Sequence, residues 1–290
     1  MNLDFHTHVG RIFLHYRRFT ARKPSKRLDE LETSRGDFSL RKREPPMIID
    51  AHVHLKHGDI KKTEYSAESI IRIMDEAGVD KSVVFAMCTT TRRSIEMASR
   101  AAERFKNRLI PFVYALPSYE KPVITEIEEA IKYLGFKGIK LHIGECTLER
   151  YVSEPVLKLA GKYRVPCLID CAGRYRLMEN LADSFPDTKM IVAHFGRYLC
   201  KDESLIDKFI KIAKKHDNVY LDTSGVIIPK KIKEAVDLIG SSRIIFGTDG
   251  PTEEGARFVL QEINKIKRLG LKLEDEREVL GETVAKLLKL

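Results

Sequence analysis

The stretch IIDAHVHL, residues 48–55, decides how the chain is read: an apolar, β-branched run broken by Asp50, His52 and His54 at alternate positions. Successive side chains of a strand point to opposite faces. Asp50, His52 and His54 are therefore expected on one face, with Ile49, Ala51 and Val53 on the other, against helices. Two imidazoles two residues apart at a strand end can grip one metal ion. An isolated pair is weak evidence, because histidines also sit in cores and on surfaces.

Moving outward, short apolar segments recur between helical patterns. Strands are expected at Ile48–His52, Ser82–Met87, Leu109–Tyr114, Gly138–His142, Pro166–Asp170, Lys189–His194, Asn218–Asp222 and Arg243–Thr248. After the first, Ile70, Ile73, Met74 and Ala77 recur at helical spacing, with Ser66 as N-cap and Gly78 as stop. A second helix is expected to begin at a capping Ser153, with Pro155 in its first turn. Others are expected over Pro229–Ile239 and near Glu254–Leu269 and Glu276–Leu288. Strands alternating with helices imply parallel pairing. Eight such units, and no glycine-rich dinucleotide fingerprint after any strand, favour a (β/α)8 TIM barrel over a doubly wound sheet.

The strand ends collect polar groups. Lys140 and His142 share an inward parity on the fourth strand, and Leu168 and Asp170 on the fifth. Met190, Val192 and His194 share one on the sixth, and Ile245, Gly247 and Asp249 on the eighth. Barrel active sites lie at the carboxyl ends of the strands. Charged groups there are costly to bury unless paired or metal-bound. Arg174 and Arg197, just past strands five and six, are candidates to grip a substrate carboxylate or phosphate. His142 is a candidate for contacting substrate.

Composition bounds the remaining classes. The chain has 290 residues and a net charge of +9. Residues 1–46 carry 11 Lys/Arg and 6 Asp/Glu, which leaves the barrel only mildly basic. That argues against a nucleic-acid-binding barrel. No run is apolar enough for a signal peptide or membrane span, so the expected setting is cytoplasmic, with a small-molecule substrate and an open question of homo-oligomerisation. The five cysteines form no CxxC pair and suggest no disulfide framework. Abundant Lys, Glu, Arg and Ile with a single glutamine resemble a thermophile's composition.

The segments IIDAHVHL, GFKGIKLH, MIVAHFGR, VYLDTSG and IIFGTDGP resemble, in order and spacing, the amidohydrolase superfamily, and most closely its amidohydrolase-2 branch. The tail VLGETVAKLL resembles that branch's closing helix. The resemblance spans 47–290. It implies a divalent metal, with zinc the first expectation, held by His52, His54, Asp249 and, with the site completed or the substrate polarised, His194. It also implies that Asp249 shuttles a proton from the attacking water. The pattern breaks at strand five, where the branch usually ends in a metal-binding histidine and this chain has Asp170. Asp170 is then either a ligand or the ion-pair partner of Lys140, which is otherwise a contact for a substrate anion or part of the catalytic set. The function implied is hydrolysis of a small, anionic substrate by metal-activated water. Decarboxylation on the same scaffold is the runner-up, and an inactive barrel using a basic arm to bind nucleic acid or a protein partner is the alternative of another class.

Residues 1–46 stand apart as a basic extension. Leu3–Val9, with His6 and His8, reads as a short strand, and no periodicity follows it. The bland readings are a basic arm without fixed structure or a leader upstream of an initiating Met47. Since all eight strands lie beyond it, a chain beginning at Met47 is expected to fold with unchanged thermal stability. A melting-temperature loss equivalent to several kcal/mol would show instead that the extension is integrated into the barrel.

Overall fold

The computed structural model describes residues 46–121 and 123–290, and Glu44–Leu290 forms one compact unit. Leu3–Val9 and its two histidines lie outside the described residues. Eight parallel strands run β1 Ile49–Lys56, β2 Lys81–Ala86, β3 Leu109–Tyr114, β4 Gly138–His142, β5 Cys167–Asp170, β6 Met190–Val192, β7 Val219–Asp222 and β8 Ile244–Ile245, paired in sequence order. Helices α1 Ala67–Ala77, α2 Thr91–Arg104, α3 Ile124–Tyr133, α4 Arg150–Tyr163, α5 Tyr175–Ser184, α6 Glu203–Lys215 and α7 Pro229–Ile239 alternate with them. Then α8 Ala256–Lys267, α9 Leu273–Arg277 and α10 Thr283–Leu288 follow β8. This is the (β/α)8 barrel.

The helices start and stop where local chemistry dictates. Ser66 accepts the Ser69 backbone N–H, and Gly78 closes α1 in the left-handed conformation that glycine alone adopts freely. Pro229 opens α7, where its missing N–H costs nothing. One expectation fails. The helix thought to begin at Ser153 begins a turn earlier, at Arg150, and Ser153 is buried inside it. Its hydroxyl donates to the Leu148 and Glu149 carbonyls instead of capping.

Two apolar layers hold the barrel. Its interior is filled by Ile49, Ala51, Val83, Phe85, Ile110, Phe112, Tyr114, Leu168, Ile191 and Ile245. Between strands and helices lies the larger layer, with Val53, Val84, Val113, Ile139, Ile169, Val192, Leu221 and Phe246 on the strand side.

These layers correct the expected facing of β1. Ile49 and Ala51 point into the barrel, and Asp50 points outward, not inward with the histidines. The register explains it: Asp50 pairs with Ser82 but Val53 with Val84, so β1 holds one extra residue in between. Such a bulge flips the alternation, and it is what turns His52 and His54 inward. In β6, Ile191 faces inward, with Met190 and Val192 outward. The shared inward parity expected for Met190, Val192 and His194 is therefore absent.

Closure between β8 and β1 uses backbone beyond the two residues of β8. Ala51 N–H donates to the Phe246 carbonyl at 3.0 Å, Asp249 N–H to His52 at 2.9 Å and His54 N–H to Gly250 at 2.7 Å. The outward Asp50 carboxylate pins the seam. It accepts the Thr248 N–H at 3.0 Å, the Thr248 hydroxyl at 2.6 Å and the His52 N–H at 3.1 Å. Burial pushes the Asp50 carboxyl up to about 7, against the lowering effect of these hydrogen bonds.

Candidate metal centre and active site

At the carboxyl ends of the strands lies a cavity of about 800 Å³. His54, Lys140, His142, Asp170, His194 and Asp249 line it, as the strand-end positions led one to expect, together with His57, Tyr65, Cys88, Glu145 and Tyr198. Arg174 and Arg197 do not line it. Both are exposed, and the geometry of this cavity gives no support to their expected contact with substrate.

His52 is the hub. It is wholly buried, with its Nδ1 2.6 Å from Asp222 Oδ2 and its Nε2 3.1 Å from Asp249 Oδ1. His54 Nε2 lies 2.8 Å from the same Asp249 oxygen. Three donor atoms, two imidazole nitrogens and one carboxylate oxygen, thus converge at the base of the cavity, close enough to hold one metal ion. Asp249 is presented from a left-handed backbone, φ 65°, held by the closure bonds around Thr248.

Proton positions test whether an ion fits. If Asp222 takes the Nδ1 proton of His52, a neutral ring offers a lone pair at Nε2. That lone pair faces the Asp249 carboxylate, an arrangement stable only with a positive charge between them. Burial and the Lys140 charge push the His52 pKa down, yet the Asp249 and Asp222 carboxylates outweigh them and raise it. The site therefore calls for positive charge, which a second proton or a metal would supply and to which Lys140 Nζ, 3.0 Å from that nitrogen, contributes. A carboxylate on the far nitrogen of a ligating histidine is also the usual means of orienting it. His54 adds an orphan: its Nδ1 is buried without a hydrogen-bond partner, and burial lowers its pKa to about 3 against the pull of Asp249. The donors fit a divalent ion.

Asp222 was not among the residues singled out from sequence. It ends β7 and must cross β8 to reach His52 on β1. Gly247 makes this crossing feasible: a Cβ there would lie 2.4 Å from Asp222 Oδ1 and 2.9 Å from the His52 Cβ. Ser224 completes the arrangement, donating to Asp222 at 2.7 Å and lying 2.9 Å from His194 Nδ1.

His194 reaches the site by a different route from the one expected. The strand stops at Val192, and His194 adopts φ 59°, ψ 31° in a tight turn that swings its ring inward. Its Nδ1 is 3.1 Å from the Ser224 carbonyl, which can only accept. Its Nε2 is 3.4 Å from Asp170 Oδ2, and His142 Nε2 is 3.2 Å from that same oxygen. Burial pushes Asp170 up, but His142, His194 and the nearby Lys140 charge hold it well below the usual carboxylate range. The expected Lys140–Asp170 contact pair is not formed. Lys140 Nζ points instead at His52 Nε2, 3.0 Å away, with its pKa lowered chiefly by burial. Asp170 likewise stands outside the three-donor cluster.

Other proteins share this arrangement of chain. The Amidohydrolase family model matches residues 49–290. The chain belongs to the amidohydrolase-2 family. No curated protein matches it significantly in sequence. Among solved structures, a 5-carboxyvanillate decarboxylase from Novosphingobium aromaticivorans, complexed with manganese, superposes with a TM-score of 0.66 at 15% identity, over 86% of this chain and 97% of that one. A dihydroxybenzoic acid decarboxylase from Polaromonas, also with manganese, gives 0.62 at 18% identity, over 85% and 98%. The 4-oxalomesaconate hydratase of Rhodopseudomonas palustris gives 0.62 at 16%, over 84% and 96%. At these identities the likeness concerns the fold. Membership places this amidohydrolase-2 chain among metal-dependent hydrolases and decarboxylases.

Two outcomes follow from the geometry. Asp222→Asn should keep the fold and weaken metal binding about 10–100-fold, the usual effect of removing an outer carboxylate. Chelator competition measures this, and unchanged affinity would detach Asp222 from the site. The second concerns acid stability of the metal-stripped protein. The folded-state pKa of His54 lies below its unfolded value, so its contribution is present above pH 6.5 and is lost as pH falls toward 3. His54→Leu should flatten that slope by up to roughly 1.4 kcal/mol per pH unit. Parallel stability–pH profiles for the two proteins would contradict the assignment.

Proposed function

We propose that this protein is a metal-dependent hydrolase of a small-molecule substrate, with one divalent ion held by His52, His54 and Asp249. The observation that carries the reading is the cation-demanding cluster at the base of the cavity, where two histidine nitrogens share one carboxylate oxygen. When bound, the ion would lower the pKa of water and polarise a substrate carbonyl. Zinc suits two imidazoles and a carboxylate, and manganese is the ion named with two structures of like fold.

The chain's own residues supply the remaining chemistry. Burial pushes Asp249 up, but His52 and His54 hold it well below the ordinary carboxylate range, so it is charged; its place beside the ion, not its basicity, makes it the group to take the proton of the attacking water. His52 is fixed by Asp222 and does not move that proton. Lys140 and His142 offer donors from β4 to a substrate oxygen, with His194 and Asp170 opposite them. The hydrophobic layer beneath His52 and His54, chiefly Phe85, keeps the donors dry on that side.

Decarboxylation is the second reading. It is favoured by Lys140, the single cationic side chain other than histidine lining this cavity among the described residues, which suits a carboxylate-bearing substrate. Released bicarbonate or carbon dioxide in a product assay separates the two. A cytoplasmic setting belongs to the same proposal. Among the described residues no helix is long and apolar enough to cross a membrane.

Elemental analysis of protein purified without added metal should find about one divalent ion per chain. His52→Ala should lose it. Asp249→Asn should keep the fold and lower turnover on the order of 10²–10⁴-fold, as for a positioned acid–base group. Turnover near wild type would remove Asp249 from the reaction.

A further inference from the structure

At the opposite end of the barrel, under the amino ends of β5–β8, lies a second and larger cavity, a groove of about 1160 Å³. Its lining contains eight Lys or Arg residues and two acids, Glu154 and Asp187, a local excess of +6. Residues 47–290 as a whole carry only +4. The rest of the barrel is therefore slightly acidic, and its positive charge is concentrated at this one groove.

Local pairing explains part of this cluster. Arg150 and Lys158 share Glu154, while Lys162, Lys286 and Arg243 reach Glu128, Glu278 and Asp217 outside the lining. Most of these pairs are exposed, where such contacts contribute about 0–1 kcal/mol and open readily. Arg164, Lys189 and Lys289 have no carboxylate partner within 4 Å among the described residues. Helix C-termini attract cations, and α4, α5 and α10 end here. With Glu128, Glu278 and Asp217 counted beside the two lining acids, eight cations face five carboxylates, an excess of +3, which three helix ends at roughly half a negative charge each offset only in part. Arg164 and Lys289 also sit in left-handed backbone, φ 53° and 54°, where glycine is the favoured residue. Both positions nonetheless carry a cationic side chain.

From this placement we infer that the groove is a binding site for a small polyanion carrying several phosphate groups. The groove is roomy enough for such a ligand. Arg164 provides a fork matched to phosphate oxygens, and Lys189 and Lys289 provide point charges. Tyr220 and Phe185 give the groove an aromatic wall. The site is separate from the metal centre and does not depend on the reaction proposed there.

The test is calorimetric titration of the full-length protein with inorganic tripolyphosphate and with ATP, at about 50 and 200 mM salt, where phosphate contacts make affinity salt-dependent. One saturable site, weakened by salt, is expected for tripolyphosphate. ATP binding more tightly would add recognition of the base to the same phosphate site, and equal affinities would assign it to phosphate alone. In the triple variant Arg164→Gln, Lys189→Gln, Lys289→Gln the affinity should fall at least about tenfold, with metal content and thermal stability retained. Four results would overturn the proposal. They are the absence of saturable binding, affinity unchanged in the triple variant (as expected if the basic residues 1–46 bind the anion), loss of binding in His52→Ala, and tighter binding of a DNA duplex than of tripolyphosphate.

Discussion

Everything at the working end of this barrel depends on a buried imidazole ring held between two carboxylates. His52 touches Asp222 with one nitrogen and Asp249 with the other, the two acids coming from the ends of the neighbouring strands β7 and β8. Two buried anions cost several kcal/mol each unless compensated. One ring, carrying a proton or facing a metal, compensates both. Around that bridge the other features fall into place: the bulge that turns His52 inward, the bare backbone of Gly247 that lets Asp222 past, and the Asp50 clamp that fixes the segment bearing Asp249.

The supporting acids divide the labour by environment. Asp50, facing the helix layer, receives only hydrogen bonds, and burial raises its pKa to about 7. Asp249 and Asp170 face histidines and Lys140, and both are held low. The cavity thus keeps its carboxylates charged while the structural acid behind it sits near its own midpoint at neutral pH. An anion inside the barrel is tolerated where cationic partners converge, and the outer acid meets its need with backbone and hydroxyl donors.

Much of this was legible in the sequence. Eight strands, the barrel and the strand-end cluster follow from periodicity and from where polar residues interrupt it. The parity of β1 was not legible, because a bulge inserts one residue without changing composition, and His52 and His54 reach the interior only through it. His194 was found by its place after a strand, although the positive φ that aims it is a tertiary outcome. Asp222 was overlooked despite lying within the quoted VYLDTSG segment. The strand-end rule applied to Tyr220 and Asp222 would have found it, but its partner is 170 residues away and across a third strand. Arg174 and Arg197 do not line the cavity for the converse reason, since a loop's nearness in sequence to a strand end says little about where a long side chain points.

The two donors of β1 and the one that follows β8 come from opposite ends of the folding unit, His54 and Asp249 being 195 residues apart. The seam between these strands is otherwise closed by a two-residue strand, a few backbone bonds and the Asp50 clamp on Thr248. A cation bound as proposed would be a removable cross-link between the first and last strands, comparable in topology to a disulfide closing a very long loop. The entropic cost of closing a loop grows only logarithmically with its length, so a long loop can be closed at little extra expense. The ion's binding energy then appears as resistance to unzipping at the seam, in proportion to the logarithm of its free concentration. In this barrel the reagent of catalysis would also be the clasp of the fold.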